Sequence, residues 1–200
     1  MLAASHGSVA QTPLIGAIVS VGMMGAGMIG AAAAGRLWVG VLLALVSGGG
    51  AIFVAYGLDV SPVRHPLPLL LAIVIASLSF AARGALFARS AFDKGWMIAL
   101  AVVAGETSIL ATAAAMPDAL PRWLLVLLPA QWASAAIQMA LTGTGTGAAG
   151  AVLLALGGTA SATLLVARLL PRRWPYLIMF TAWLSLSALV WHQSTGPGFS

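Results

Sequence analysis

Residues 37–58 read LWVGVLLALVSGGGAIFVAYGL and contain no charged side chain between Arg36 and Asp59. A helix needs about 20 mostly apolar residues to cross the hydrocarbon core of a bilayer. This stretch is long enough for one crossing. Trp38 and Tyr56 lie near its ends, where the amphipathic rings of membrane proteins favour the headgroup region. The stretch therefore predicts a transmembrane helix.

The rest of the chain has the same apolar character. Apolar residues make up 61% of the 200 residues and charged residues 6%, and the mean hydropathy is +1.04. Because a soluble domain carries about 25% charged residues, this composition excludes a soluble globular protein. The net charge of +5 comes from scattered basic residues, whereas a nucleic-acid-binding surface has them clustered. We therefore expect an integral membrane protein that contacts the lipid bilayer and binds no nucleic acid.

Proline, glycine and charged residues divide the chain into seven apolar segments, each long enough for one crossing. These segments cover residues 13–34, 37–58, 67–87, 95–116, 122–141, 148–167 and 174–192. The sequence thus predicts an all-α, polytopic bundle of about seven transmembrane helices, forming a single multi-pass membrane domain over residues 1–200. The alternative is six spans, with the Gly- and Ala-rich sixth segment re-entrant or interfacial. Basic residues divide almost evenly between the two sides, so the positive-inside rule leaves the orientation open.

Small residues recur at every fourth position of the first segment. They are Gly22, Ala26, Gly30 and Ala34. This spacing gives a helix a flat stripe that another helix can approach closely. We expect the stripe to pack inside the bundle, and a contact with another protein chain or a flat cofactor is the alternative. If the stripe contacts another protein chain, the partners are other membrane subunits or further copies of this chain.

Glu106 is the one acidic residue deep inside a predicted span. Ionisable side chains inside a membrane are costly and often mark functional sites. On the next predicted helix, polar residues spaced three and four positions apart share one face. Pro129 on the same helix removes a backbone N–H donor nearby. The predicted intramembrane polar cluster consists of Glu106, Thr107, Ser108, Gln131, Ser134 and Gln138.

This polar cluster has three interpretations. It is an interhelical clasp of hydrogen bonds, a site that handles a proton or a solute, or a polar contact with a lipid or pigment. Arg83, in the last turn of the third predicted span, has two alternatives. It extends to the membrane surface along its apolar stem, or it turns inward and pairs with Glu106.

The sequence does not require a cofactor, and it predicts no metal site. The chain has no cysteine and three histidines, His6, His65 and His192, none of which lies in the middle of a span. Two facing histidines for a buried haem are therefore not expected. A single axial ligand from His65 or His192 to a haem or pigment is the alternative to an interfacial histidine. The common catalytic motifs are missing, so we assign no catalytic residue.

Three functions are compatible with these features. The first, which we favour from the sequence, is a non-catalytic multi-pass subunit of a larger membrane complex, such as an energy-transducing assembly. The small-residue stripe and the scarcity of polar groups support it. The second is a channel or carrier for a small solute or ion with a midplane site around Glu106, since broken or glycine-rich helices often line such sites. The third is a lipid-active membrane enzyme.

Overall fold

A computed structural model describes residues 7–58, 65–116, 119–143, 146–169 and 175–194. Every regular element in these ranges is a helix, which confirms the all-α prediction for this part of the chain. The elements in chain order are α1 (Gly7–Met24), a π-helical turn (Gly25–Ile29), α2 (Gly30–Ala34), α3 (Leu37–Gly57), α4 (Pro66–Ala91), a 3-10 turn (Phe92–Lys94), α5 (Gly95–Ala115), α6 (Arg122–Val126), α7 (Pro129–Thr142), α8 (Thr146–Leu169) and α9 (Pro175–Ser194).

Four helical segments within the described ranges are long and apolar enough to cross a membrane. They are Leu14–Ala34, Leu37–Gly57, Pro66–Ala91 and Gly95–Ala115. Their length and composition indicate an integral membrane protein, as the sequence predicted. The count of about seven crossings goes beyond these four segments and stays a prediction. Residue 174, the start of the last predicted segment, lies outside the described residues.

Helix α4 is the centre of the packing. It contacts α3, α5, α7 and α8, and 61% of its most apolar stretch is buried, against 17% in α3 and in α5. Ala76 and Phe80 of α4 are completely buried, whereas Ala44 is the one buried apolar side chain of α3 and Ala99 and Leu110 are those of α5. A polar residue on α4 therefore meets protein, and an apolar residue on α3 or α5 has surroundings suited to lipid.

The π-helical turn lies in close contact with α3 and α4. A Cβ atom placed on Gly84 of α4 would overlap the backbone of Met28, and one placed on Gly40 of α3 would overlap the Gly27 carbonyl oxygen. A turn with one extra residue displaces its carbonyl groups from the regular helical positions. Only glycine on the neighbouring helices leaves space for such a backbone-to-backbone contact.

The two glycines of the predicted small-residue stripe pack against α3 of the same chain. A Cβ on Gly22 would lie 3.1 Å from Ser47 Oγ, and one on Gly30 would overlap the Leu43 side chain. Packing inside the bundle therefore accounts for both glycines. Ala26 is half-buried like the two glycines, and Ala34 is exposed.

The fifth predicted segment, residues 122–141, is not one helix. Helix α6 ends at Val126 and α7 begins at Pro129, and Leu128 between them is extended, with φ −91° and ψ 114°. The Pro129 ring disfavours the helical conformation for the residue before it. The prediction of a continuous helix over this segment is therefore wrong, and the same proline that interrupts α6 begins α7.

We predict that Gly84→Ala lowers the free energy of unfolding by about 1–3 kcal/mol, which is typical of overpacking. The new methyl group would meet the backbone of Met28, which cannot move aside as a flexible side chain could. Thermal unfolding of the purified protein in detergent measures the change. The matched control is Gly49→Ala, because a Cβ at that position has no atom within 4 Å. Equal stability of the two variants would contradict the close approach of α4 to the π-helical turn.

Candidate functional site

The break between α6 and α7 leaves backbone carbonyl groups without their helical N–H partners. Two tryptophan side chains supply the missing donors. The indole Nε1 of Trp132 donates to the Val126 carbonyl at 2.7 Å, and the indole Nε1 of Trp183 donates to the Leu127 carbonyl at 3.0 Å. Trp132 belongs to α7 itself and Trp183 to α9, so the break is held from within and from a neighbouring helix.

Side chains of two other helices form hydrogen bonds with the backbone of Ala130, in the first turn of α7. Its N–H donates to Glu106 Oε2 of α5 at 3.2 Å, and its carbonyl accepts a hydrogen bond from Ser20 Oγ of α1 at 2.5 Å. A carboxylate at a helix N-terminus satisfies an unpaired donor and interacts favourably with the helix dipole. Glu106 therefore fixes the start of α7 beside the break.

Glu106 also forms an ion pair with Arg83 of α4. The distance from Arg83 Nη1 to Glu106 Oε1 is 3.6 Å, and the two side chains are 10% and 11% exposed. This distance is longer than that of a direct N–H···O hydrogen bond. Of the two alternatives for Arg83, the inward one is observed. Helix α4 continues to Ala91, so Arg83 is not in its last turn as predicted.

The guanidinium group of Arg83 has spare donors. Nη2 is buried and has no hydrogen-bond partner among the described residues. The guanidinium carbon lies 5.7 Å from the centre of the Phe80 ring, within the range of a cation–π interaction. The aromatic ring offsets part of the cost of burying the charge, but it does not replace a hydrogen-bond acceptor.

A cavity of about 300 Å³ lies against this ion pair. Its wall comes from α4, α5, α8, α9 and the break between α6 and α7. Arg83 and Glu106 are the two lining residues that ionise, and Thr159, Thr163 and Trp183 add polar groups. Both threonine hydroxyls donate to carbonyls of their own helix, and the remaining wall is apolar. The cavity thus combines one buried ion pair with an apolar interior.

The other members of the predicted polar cluster on α5 do not line this cavity. The Thr107 hydroxyl is buried and has no hydrogen-bond partner in the described part of the chain. The Ser108 hydroxyl donates to the Ala104 carbonyl one turn earlier at 2.8 Å. Glu106 is therefore the one member of the cluster on α5 that reaches the break.

On α7, the predicted cluster has a different neighbour. Gln138 Nε2 donates to Ser134 Oγ at 3.1 Å, and both residues pack against α1 at Gly16, where a Cβ atom would overlap Gln138. Gln131 is half-buried and follows Ala130 directly. Ser134 and Gln138 therefore contribute to helix packing between α1 and α7. Besides Glu106, the polar or charged residues that line the cavity are ones that the predicted cluster did not contain: Arg83, Thr159, Thr163 and Trp183.

The histidines considered as axial ligands lie away from the cavity. His65 is exposed directly before α4, and His192 is exposed in the last turn of α9. His6 lies outside the described residues. Within the described ranges, no group of three or more His, Cys, Asp or Glu side chains is placed to hold a metal ion.

Comparison with protein families, with curated proteins and with solved structures finds no match. The function is therefore inferred from the geometry of the cavity, the ion pair and the helix break.

Proposed function

We propose that the protein is a multi-pass membrane carrier that binds a small solute in the cavity beside the α6–α7 break. The observation that carries this proposal is the position of the buried Arg83–Glu106 ion pair, which lines the cavity next to an interrupted helix. Interrupted helices form the substrate sites of many transporters. Ionisable residues inside a membrane protein commonly mark a substrate or ion pathway.

A purely structural clasp accounts less well for the same residues. Removing two charges from water is costly, and neutral hydrogen-bonding groups would join α4 and α5 at a lower cost. A structural network is also expected to satisfy its donors, whereas Arg83 Nη2 has no partner among the described residues. The empty space and the unused donor occur together, which supports a binding role.

We infer that α6 is the mobile part of the carrier. It has five residues, none of which is buried, and it packs chiefly against α7 and α9. Leu124 and Leu127 form part of the cavity wall, so α6 would act as the cover of the cavity. The Trp183 indole bonded to the Leu127 carbonyl ties this cover to α9. Rotation about the extended Leu128 would open the cavity, since hinges are a few residues at the ends of elements.

The role as a non-catalytic subunit of a larger complex stays a prediction. One of the two features that favoured it, the small-residue stripe, packs against α3 at Gly22 and Gly30. The predictions of about seven crossings and of self-association fit a carrier equally well.

We predict that Ala162→Phe strongly reduces transport while the protein still folds, because the ring would occupy the cavity that Ala162 lines. The measurement is mass-spectrometric screening of a solute mixture for protein-dependent uptake into liposomes. We expect a loss of about tenfold or more for the transported solute, the effect of about 1.4 kcal/mol of lost binding. The control is Leu154→Phe, which places the same ring at a position of α8 that is 71% exposed. Equal uptake by the two variants, or no uptake by the unmodified protein, would refute the carrier function.

We predict that Trp183→Phe makes the cavity easier to enter, because the Leu127 carbonyl loses its indole donor. One hydrogen bond contributes about 0.5–1.5 kcal/mol, so the open state should be populated roughly two- to tenfold more. The chain has no cysteine, so Thr163→Cys introduces a single thiol into the cavity wall, and its rate of labelling by a water-soluble thiol reagent reports opening. In the control, Trp38→Phe, the replaced indole is 57% exposed and the rate should not change. An unchanged rate in Trp183→Phe would exclude α6 as the cover.

A further inference from the structure

We propose that the solute is a small organic anion, with one carboxylate on an apolar body, and that it is carried together with one proton held by Glu106. This inference rests on the carrier function proposed above and names its substrate class and its coupling.

The site has an unused hydrogen-bond donor and few unused acceptors. Arg83 Nη2 has no partner in the described part of the chain, and Arg83 Nη1 is 3.6 Å from the nearest Glu106 oxygen. The carbonyls of Val126 and Leu127 already accept the two indole N–H groups. A ligand is therefore required to bring acceptor atoms. The planar guanidinium group matches a carboxylate in particular, because both can form two parallel hydrogen bonds.

An amine or an amino acid fits this wall less well. An ammonium group brings three donors, and Glu106, which already accepts the N–H of Ala130, is the one anionic acceptor among the lining residues. The threonine hydroxyls donate into α8. The apolar remainder of the wall suits a hydrocarbon chain or ring, and a volume of about 300 Å³ is at the small end of ligand pockets.

The charge balance of the cavity couples the anion to a proton. Arg83 on α4 and Glu106 on α5 are the two lining residues that ionise, and their charges cancel. The described residues that α7, α8 and α9 place there are not ionisable. A bound carboxylate would leave one uncompensated negative charge away from water, which is costly. Transfer of one proton from water to Glu106 restores neutrality and releases Arg83 to pair with the ligand.

Protonated Glu106 keeps its place at the helix break. Its carbonyl oxygen still accepts the N–H of Ala130, and its new O–H donates to the bound carboxylate. One proton and one monovalent anion therefore enter and leave together, and their sum carries no net charge across the membrane.

Isothermal titration calorimetry of the full-length protein in lipid nanodiscs tests this inference. The ligands are butyrate, benzoate and octanoate, with benzamide and benzylamine as neutral and cationic counterparts of benzoate. Titration in two buffers of different ionisation enthalpy gives the number of protons taken up with each anion. We expect at least one carboxylate to bind with an uptake of about one proton in the unmodified protein. Benzamide and benzylamine should bind at least about tenfold more weakly than benzoate if benzoate is the ligand.

Two variants separate the roles of the ion pair. Arg83→Gln should weaken carboxylate binding about tenfold or more. Glu106→Gln keeps an oxygen acceptor for the Ala130 N–H and should bind the anion without proton uptake. Should Glu106→Gln fail to fold, the proton count of the unmodified protein decides. Binding without proton uptake in the unmodified protein, or unchanged binding in Arg83→Gln, would overturn the inference.

Failure of the substrate class and failure of the carrier function give different results. If a neutral or cationic ligand binds and Ala162→Phe abolishes that binding, while no carboxylate behaves so, the anion inference is wrong and the carrier function stands. If no ligand binds and the uptake screen finds no transported solute, both fail.

Discussion

A buried backbone N–H or C=O group must find a hydrogen-bond partner, and the extended residue Leu128 is where this chain has to meet that requirement with side chains. The two carbonyls before it accept indole N–H groups, and the first free N–H after it donates to a carboxylate. The carboxylate then needs a cation, which α4 supplies in Arg83. The break, the cap, the ion pair and the cavity are therefore one connected arrangement.

The position of Arg83 explains why the ion pair is buried at all. An arginine near a membrane surface can extend its long stem to water. Arg83 instead lies on α4, the helix with the most protein around it, and α4 continues eight residues beyond it to Ala91. Glu106 lies on α5, which is mostly exposed, yet its carboxylate is directed at the break. An interior helix and a peripheral helix thus share one buried pair of charges.

The sequence predicted the helical, membrane-embedded character because hydropathy is a local property. It also singled out Glu106, because an isolated acid in an apolar segment is visible without a structure. It could not predict that Pro129 begins a new helix, since a proline in an apolar segment is compatible with a kink, a break or a first turn. Spacing placed Ser134 and Gln138 on one face of α7, but which helix meets that face is a tertiary property, and it is α1. Trp183 was visible as a tryptophan in the middle of a segment, but its acceptor is distant in sequence.

The π-helical turn between α1 and α2 has a consequence for how one membrane-crossing segment serves two sets of neighbours. An extra residue in a turn retards the helical phase, so that side chains after it point in directions offset by about 100° from those of an uninterrupted helix. Before the turn, α1 packs chiefly against α7, and after it, α2 packs against α4 and α3. The phase offset lets a single span present different faces to its neighbours before and after the turn. If Gly25–Ile29 wound as a regular α-helix with all five residues kept, every side chain after it would be rotated by about 100°, and one of the two sets of contacts would be out of register.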